Sequence, residues 1–248
     1  MSEISIIYQD DDLLVLDKPA GITVNRSDTT RNEETVQDWI ERQIKDFGFQ
    51  ISDEDRETDF YKRSGIVHRI DKETSGILLV AKNRESFIEL QRQFKERIVK
   101  KTYMALVHGK VVPSEGEINV PVGRLPWNRK KFGILAGGKP AITKYKVLSI
   151  MYLAMGKKEE QVTLLELSPL SGRTHQIRVH LKYFNHPIFS DFLYAGRKTS
   201  RDDRKILERV FLHANKISFM HPGTRLPVSF ESPLPEELKK IIKMGQKD

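Results

Sequence analysis

The sequence has no cysteine among its 248 residues. That absence excludes disulfides, thiolate zinc sites, iron–sulfur clusters and cysteine nucleophiles together. No apolar run approaches the ~18 residues of a membrane span. The opening MSEISIIYQDDD has no basic stretch followed by an apolar block, so no secretory leader is expected. The expected location is the cytoplasm, without a membrane partner. Metal and nucleotide signatures are missing too. His175 and His180 are five apart, not the four that place two ligands on one helix face. No Asp, Glu and His set has ligand spacing, so no metal is expected. GILAGGKP has glycines and a lysine without the spacing that cradles phosphates, and there is no G-x-S-x-G elbow.

What is present is ordinary in bulk and uneven in detail. Hydrophobic content of 38% beside 31% charged residues is enough for a sizeable core. Basic residues outnumber acidic ones 42 to 34, giving a net charge of +8. The stretch from Asn32 to Asp59 is mostly acidic, so the remainder is more basic than the average. Cations cluster in FKERIVKKTY, PWNRKKFG and GRKTSRDDRK. On charge alone, a nucleic-acid partner and a plain solvated surface stay equally open.

The hydrophobic spacing predicts short strands at ISIIY and LLVLD, then a break at KPAG. Val36, Trp39, Ile40, Ile44 and Phe47 fall at helical spacing and predict a helix over 34–47. Residues 50–63 read as a polar surface loop. Strands GIVHRI and GILLVA flank a turn at Asp71, and a helix follows over 84–94. KKTYMALVHG, INVPV, ITKYKVLSI and QVTLLELSPL are strand-like. RTHQIRVHLKYF reads as a short helix capped by Thr174. FLHANKISFMHP and LPVSFESP follow as strands, with a final helix from about Pro235. Strands and helices mix without regular alternation, which predicts an α+β fold in one domain over residues 1–248.

Isolated carboxylates and cations are the remaining candidates for chemistry. In a strand, residues two apart point the same way, so Arg69 and Asp71 would sit side by side. The plain readings are a rim salt bridge worth little, or an Asp71 that caps the KETSG turn. In SPLSGRTHQIRVHL, Arg173 precedes the helix and Arg178 lies inside it between Ile177 and Val179. A buried Arg178 would need a carboxylate or phosphate partner; otherwise it reaches solvent over its apolar stem. Tyr103 follows Lys100 and Lys101 closely, an arrangement that serves an ordinary strand or a stacked, phosphate-gripped nucleotide.

Taken together, these stretches resemble the RluA family of RNA pseudouridine synthases. YQDDDLLVLDKPAGI is similar to the family's opening strand and Lys-Pro-x-Gly turn. VHRIDKETSGILLVAKN is similar to its His-Arg-Leu-Asp-x-x-Thr-Ser-Gly signature, with Ile70 in place of leucine. KKTYMALVHG, GRTHQIRVHL, HPIFSD and LHANKISFMHP resemble the next four blocks in order, from about Tyr8 to Pro235. Ser190 stands where the family usually has glycine before aspartate, and LYAGR has alanine where relatives often have glycine.

The resemblance implies a pseudouridine synthase fold: a mixed, mainly antiparallel central sheet flanked by helices, with a catalytic cleft. It implies that Asp71 is the catalytic aspartate, that Tyr103 stacks on the flipped uracil, and that Arg178 pairs with the Asp71 carboxylate. It further implies that Arg69 enters the RNA stack where the uridine has left. Lys100, Lys101, Arg129, Lys130, Lys131 and Arg173 are the candidate phosphate contacts. The implied partner is tRNA and/or rRNA, with no cofactor, and the protein is expected to be a monomer. Many relatives carry an RNA-binding S4 domain ahead of the core, and none is expected here because the core begins within the first ten residues. Two other classes compete: an RNA-binding or chaperone protein without catalysis on the same fold, and a hydrolytic nucleosidase. The second lacks a visible second carboxylate.

Overall fold

Strand β3 (Ser75–Ala81) is buried at all seven positions, as expected where an apolar run without polar alternation is covered on both faces. It anchors the first of two compact units into which the chain divides. That unit comprises Met1–Lys100 with Ala214–Pro233, and the second comprises Lys101–His213 with Leu234–Asp248. The computed structural model describes residues 3–27, 30, 33–155 and 158–245.

In the first unit, β1 (Ser5–Gln9), β2 (Leu13–Lys18), β3, β10 (Leu212–Met220) and β11 (Pro227–Glu231) lie in that order. The β1–β2, β2–β3 and β10–β11 ladders are antiparallel. Strand β10 is shared: Leu212 and His213 belong to the second unit and Ala214 onward to the first. Leu13, Val15, Ile77, Leu79, Ile217 and Phe219 build the core with Phe87 and Leu90 of α3 (Arg84–Lys95). The Asn83 side chain caps α3 by accepting the Ser86 N–H at 2.8 Å.

Two local expectations are corrected here. The helix predicted over 34–47 stops early, as α1 (Val36–Arg42), and turns follow over 43–48. Gln43 has left helical geometry, yet Phe47 is still buried and packs on Trp39 with ring centroids 5.3 Å apart. The apolar spacing therefore reports burial, not helix length. The loop expected over 50–63 contains a 3-10 turn (Asp53–Glu57) and the one-turn helix α2 (Asp59–Lys62), and Phe60 within it is fully buried. Residues 28–29 and 31–32 of the neighbouring segment lie outside the described residues.

In the second unit, antiparallel strands follow in the order β4 (Lys100–His108), β9 (Lys158–Pro169), β8 (Ile142–Met155) and β5 (Glu115–Asn119). Strands β8 and β9 pair from Thr143–Pro169 to Met155–Lys158, with a bulge between Val147 and Ser149. The predicted strands at ITKYKVLSI and QVTLLELSPL are thus two arms of one long hairpin. A small ribbon of β6 (Val122–Arg124) and β7 (Phe132–Ile134) stands apart. Helix α4 (Gln176–Tyr183) packs Val179 against Val122, Ala141 and Tyr194. The N-cap of α4 is His175 in the left-handed region at φ 55°, not Thr174. Helices α5 (Arg197–Asp203) and α6 (Glu236–Gly245) complete the unit. The α+β expectation and the mainly antiparallel sheets are both found.

Gly76 is the tightest point in the first unit. Its φ is 112°, and a Cβ there would lie 2.3 Å from the Ala214 carbonyl oxygen and 2.8 Å from the Ala214 carbonyl carbon and nitrogen. All three atoms are backbone of the neighbouring strand, which cannot swing aside. Gly76→Ala is expected to destabilise folding by roughly 3 kcal/mol or more, through strain and overpacking combined. Urea denaturation measures this; a loss below about 1 kcal/mol would show that β10 yields.

Candidate active site

The Asp71 turn is built by backbone geometry rather than by a strand. The predicted strand GIVHRI is irregular: Ile66 bridges to Val80, and 67–74 carries no regular element. Ser64 at φ 49° and Gly65 at φ 73° turn the chain out of ladder geometry. The argument from alternation that placed Arg69 beside Asp71 does not apply to such backbone. The segment is nevertheless fastened along its length. His68 Nε2 accepts the Leu79 N–H at 3.0 Å, which fixes the neutral tautomer with its proton on Nδ1. Gln91 Nε2 donates to the Val67 carbonyl at 3.0 Å, and the Thr74 N–H donates to the Asp71 carbonyl at 3.1 Å.

Lys18 is the central fastener. It closes β2 in a fully buried position, and its Nζ donates to the carbonyls of Pro19 at 2.7 Å, Ile22 at 2.9 Å and Lys72 at 3.2 Å. Gly21 adds an N–H to the same Lys72 carbonyl at 2.8 Å. The Lys-Pro-Ala-Gly turn and the residue after Asp71 are thereby one hydrogen-bonded body. In the sequence KPAG reads only as a pattern break, which hides this role. The available signal was a lysine ending the apolar run LLVLDK. Asp71 is half-buried, whereas Arg69 and Lys100 are exposed.

The remaining candidates belong to the second unit. Tyr103 is buried on β4 opposite Leu167 of β9. Arg178 is buried on α4, and its guanidinium grips Asp191 as a fork, with Nε to Oδ2 at 2.8 Å and Nη2 to Oδ1 at 2.9 Å. Its carbon centre lies 5.1 Å from the centroid of the Tyr194 ring. The sequence requirement of a carboxylate for a buried Arg178 is met within the unit by Asp191. Asp191 Oδ1 also accepts the backbone N–H groups of Leu193 and Tyr194 at 3.0 and 3.2 Å, so the fork is rigid at both ends.

The cations divide by exposure. Arg129 and Lys130 are exposed, while Lys131 and Arg173 are half-buried. Arg173 Nε donates to the Pro140 carbonyl at 3.3 Å. Lys101 is half-buried and lies against the loop before Arg173; a Cβ on Gly172 would be 3.7 Å from its Nζ. Burial pulls its ammonium down to about 8. Trp127, missed in the sequence analysis, is 76% exposed at the tip of the β6–β7 loop. That loop is ordered by its own backbone, through Leu125 N–H to Lys131 O at 3.0 Å and Lys131 N–H to Asn128 O at 2.9 Å. Arg124 braces it from Nη1 to the Arg129 carbonyl at 2.6 Å. An aromatic beside three cations in PWNRKK was the readable signal.

Comparison with known proteins bears on the same residues. The family model for RNA pseudouridylate synthase matches residues 12–183, which include Lys18, Asp71, Tyr103 and Arg178. A ribosomal large subunit pseudouridine synthase D of Neisseria meningitidis is 36% identical over 246 residues, covering 96% of this chain and 60% of that protein. A ribosomal large subunit pseudouridine synthase C of Vibrio vulnificus is 38% identical over 240 residues, covering 96% of this chain and 68% of its own length. The chain thus spans about 60% of the length of the Neisseria relative. Among solved structures, human RNA pseudouridylate synthase domain containing 1 superposes with a TM-score of 0.70 at 29% identity, covering 94% of this chain and 84% of that one. By sequence and by fold, the chain belongs to the RNA pseudouridylate synthase family.

Proposed function

We propose that this protein isomerises uridine to pseudouridine in structured RNA, with Asp71 as the catalytic carboxylate. The observation that carries the reading is the pinned Asp71 turn: a fully buried lysine holds the adjacent Lys72 carbonyl, so the aspartate has a fixed base. In this reading Tyr103 stacks on the extruded uracil, and Arg178, oriented by Asp191, pairs with Asp71 and favours its ionised form. Arg69 fills the gap left in the RNA stack. One domain over residues 1–248 acts as a monomer in the cytoplasm, without metal or cofactor chemistry in the catalytic step. The relatives named for the ribosomal large subunit favour rRNA over tRNA as the substrate.

The reaction suits a single carboxylate. The N1–C1′ bond breaks, the uracil turns over, and C5 bonds to C1′ while the C5 proton is lost to water and N1 gains one. Atoms and charge balance with no redox partner. Uracil leaves as a delocalised anion, so no second acid is required, unlike ordinary glycoside hydrolysis. Extruding the base costs a few kcal/mol, and stacking on Tyr103 returns roughly 1–3 kcal/mol. Phosphate contacts from Lys100, Lys101, Arg129, Lys130, Lys131 and Arg173 supply the salt-dependent part of the affinity.

The decisive test uses cellular RNA labelled with tritium at uridine C5, split into rRNA and tRNA fractions. Wild-type protein is expected to release tritium to water from the rRNA fraction, and Asp71→Asn to release none while still binding RNA. Equal release by both proteins would remove Asp71 from its role; appearance of free uracil would replace isomerisation with hydrolysis.

Two further outcomes concern the RNA surface. Trp127→Ala is expected to weaken RNA binding by roughly 1–3 kcal/mol, the worth of one base stack. Reversing the charges of Arg129, Lys130 and Lys131 should instead flatten the dependence of affinity on salt. Filter binding across a salt series separates the two effects, and unchanged affinity in the first variant would leave Trp127 outside the interface. Lys101 gives a pH signature. Its ammonium is lost above about 8, and a phosphate partner raises that value in the complex, so wild-type affinity should fall as pH rises through 8 and beyond. Lys101→Arg stays charged and should lack this step; identical pH profiles would exclude Lys101 from phosphate contact.

A further inference from the structure

The β6–β7 ribbon, whose loop carries Trp127, Arg129, Lys130 and Lys131, is fastened to the 191–194 turn by one phenol. Tyr194 is buried. Its Oη accepts the Phe132 N–H at 3.1 Å, across 62 residues of chain, and lies 2.8 Å from His175 Nδ1. A phenol both accepts and donates, so it can accept from the ribbon and donate to the imidazole. The His175 ring meets both partners again, with centroids 5.5 Å from Phe132 and 5.7 Å from Tyr194, each in an edge-on contact. His175 holds φ 55°, a left-handed backbone that a residue with a side chain keeps when its surroundings fix it.

The rest of Tyr194 belongs to the Arg178–Asp191 fork. Its backbone N–H is one of the two that hold Asp191 Oδ1, at 3.2 Å, and its ring centroid lies 5.1 Å from the Arg178 carbon centre. On the ribbon side, the Arg124 carbon centre sits 4.8 Å from the Phe132 ring centroid, and Arg124 Nη1 donates to the Arg129 carbonyl. Contacts therefore run without a gap from the cations of the loop to the guanidinium of Arg178. Packing alone does not account for this arrangement. The Tyr194 ring sits in a cluster with Val122, Ala141 and Val179, and a phenylalanine ring would fill that place as well. The hydroxyl is the part that packing leaves unexplained, and its burial is costly unless it is bonded.

We infer that Tyr194 is a positioning residue that couples the β6–β7 ribbon to the Arg178–Asp191 fork, so that RNA held by the ribbon also steadies the Arg178 guanidinium. The inference rests on the isomerase reading and deepens it, because Arg178 is there the partner of the catalytic carboxylate. Two elements give the coupling its direction. The hydroxyl fixes where β7 lies, and the main chain of the same residue fixes Asp191 and through it the plane of Arg178. A substrate that engages the ribbon thus favours the orientation of the fork that the reaction uses. An RNA that reaches the fork but misses the ribbon is converted slowly, so selection acts on the rate as well as on binding.

The test pairs a rate with an exchange measurement on the full chain. Tyr194→Phe keeps the ring and deletes the hydroxyl. With protein in excess over tritium-labelled rRNA, its saturating rate of tritium release should fall about three- to tenfold, the worth of one hydrogen bond. Trp127→Ala should lower the saturating rate of the wild type and leave that of Tyr194→Phe unchanged. A merely structural loss would make the two effects multiply, and that result overturns the coupling. Amide hydrogen exchange reads the same link without turnover. On the wild type, rRNA should slow exchange over both 122–134 and 191–194; on Tyr194→Phe it should slow 122–134 alone. Protection of 191–194 that survives the substitution also overturns the coupling. No release by the wild type, with the exchange pattern as expected, would instead remove the isomerase reading and keep the link. If Tyr194→Phe fails to fold, His175→Asn keeps a residue suited to left-handed backbone, breaks the ring contacts and is judged by the same two measurements.

Discussion

The burial of the Lys18 ammonium constrains everything around the Asp71 turn. A fully desolvated cation is tolerated only when hydrogen bonds replace its water. The chain meets this demand with three carbonyls, from Pro19, Ile22 and Lys72. Those carbonyls must converge, which dictates the path of the Lys-Pro-Ala-Gly turn and of the residues after Asp71. Register enforces the arrangement from below. Lys18 pairs with Gly76 in the β2–β3 ladder, and Gly76 admits no side chain because β10 passes so close. The Asp71 turn is thereby given the rigidity of the sheet beneath it, which the role proposed for Asp71 would require.

The second unit solves a similar problem with the opposite ingredients. Arg178 is buried, and a carboxylate rather than carbonyls satisfies it. The bidentate geometry with Asp191 fixes the plane of the guanidinium as well as its position. Lysine could not do this, since its ammonium is a point charge without a plane. Asp191 in turn is fixed by two backbone N–H groups, so the orientation is set by the main chain of the 191–194 turn. Lys18 and Arg178 are therefore not interchangeable cations. One gathers carbonyls around a point, and the other transmits a direction.

The sequence made some of this legible and concealed the rest for identifiable reasons. Strands such as GILLVA were readable because burial on both faces leaves a continuous apolar run, and α3 because Phe87 and Leu90 recur at helical spacing. GIVHRI looked like a strand for the same compositional reason, but Ser64 and Gly65 at positive φ divert it from the ladder. Composition cannot distinguish an apolar strand from an apolar turn that packs equally well. Ile44 and Phe47 extended the helical pattern beyond α1 because the turns that follow it leave Ile44 half-buried and bury Phe47 on Trp39. Asp71, Tyr103 and Arg178 could be named only through resemblance, since no local spacing links them. Lys18 and Trp127 were hidden by context: a lysine at a strand end and a tryptophan in a loop are usually solvent-facing detail.

The histidines show most clearly what linear spacing misses. Rules of the His-x₃-His kind work when one helix presents both ligands, and applied to His175 and His180 they exclude a site. The sheet brings together residues that such rules never compare. His108 and Glu160 lie on neighbouring strands β4 and β9, and Asp203 comes from a helix 43 residues beyond Glu160. Antiparallel pairing makes residues far apart in sequence adjacent in space, and burial then raises the stakes of their charges. Burial disfavours the His108 imidazolium, but Asp203 and Glu160, one on each ring nitrogen, outweigh it and raise its pKa to about 9.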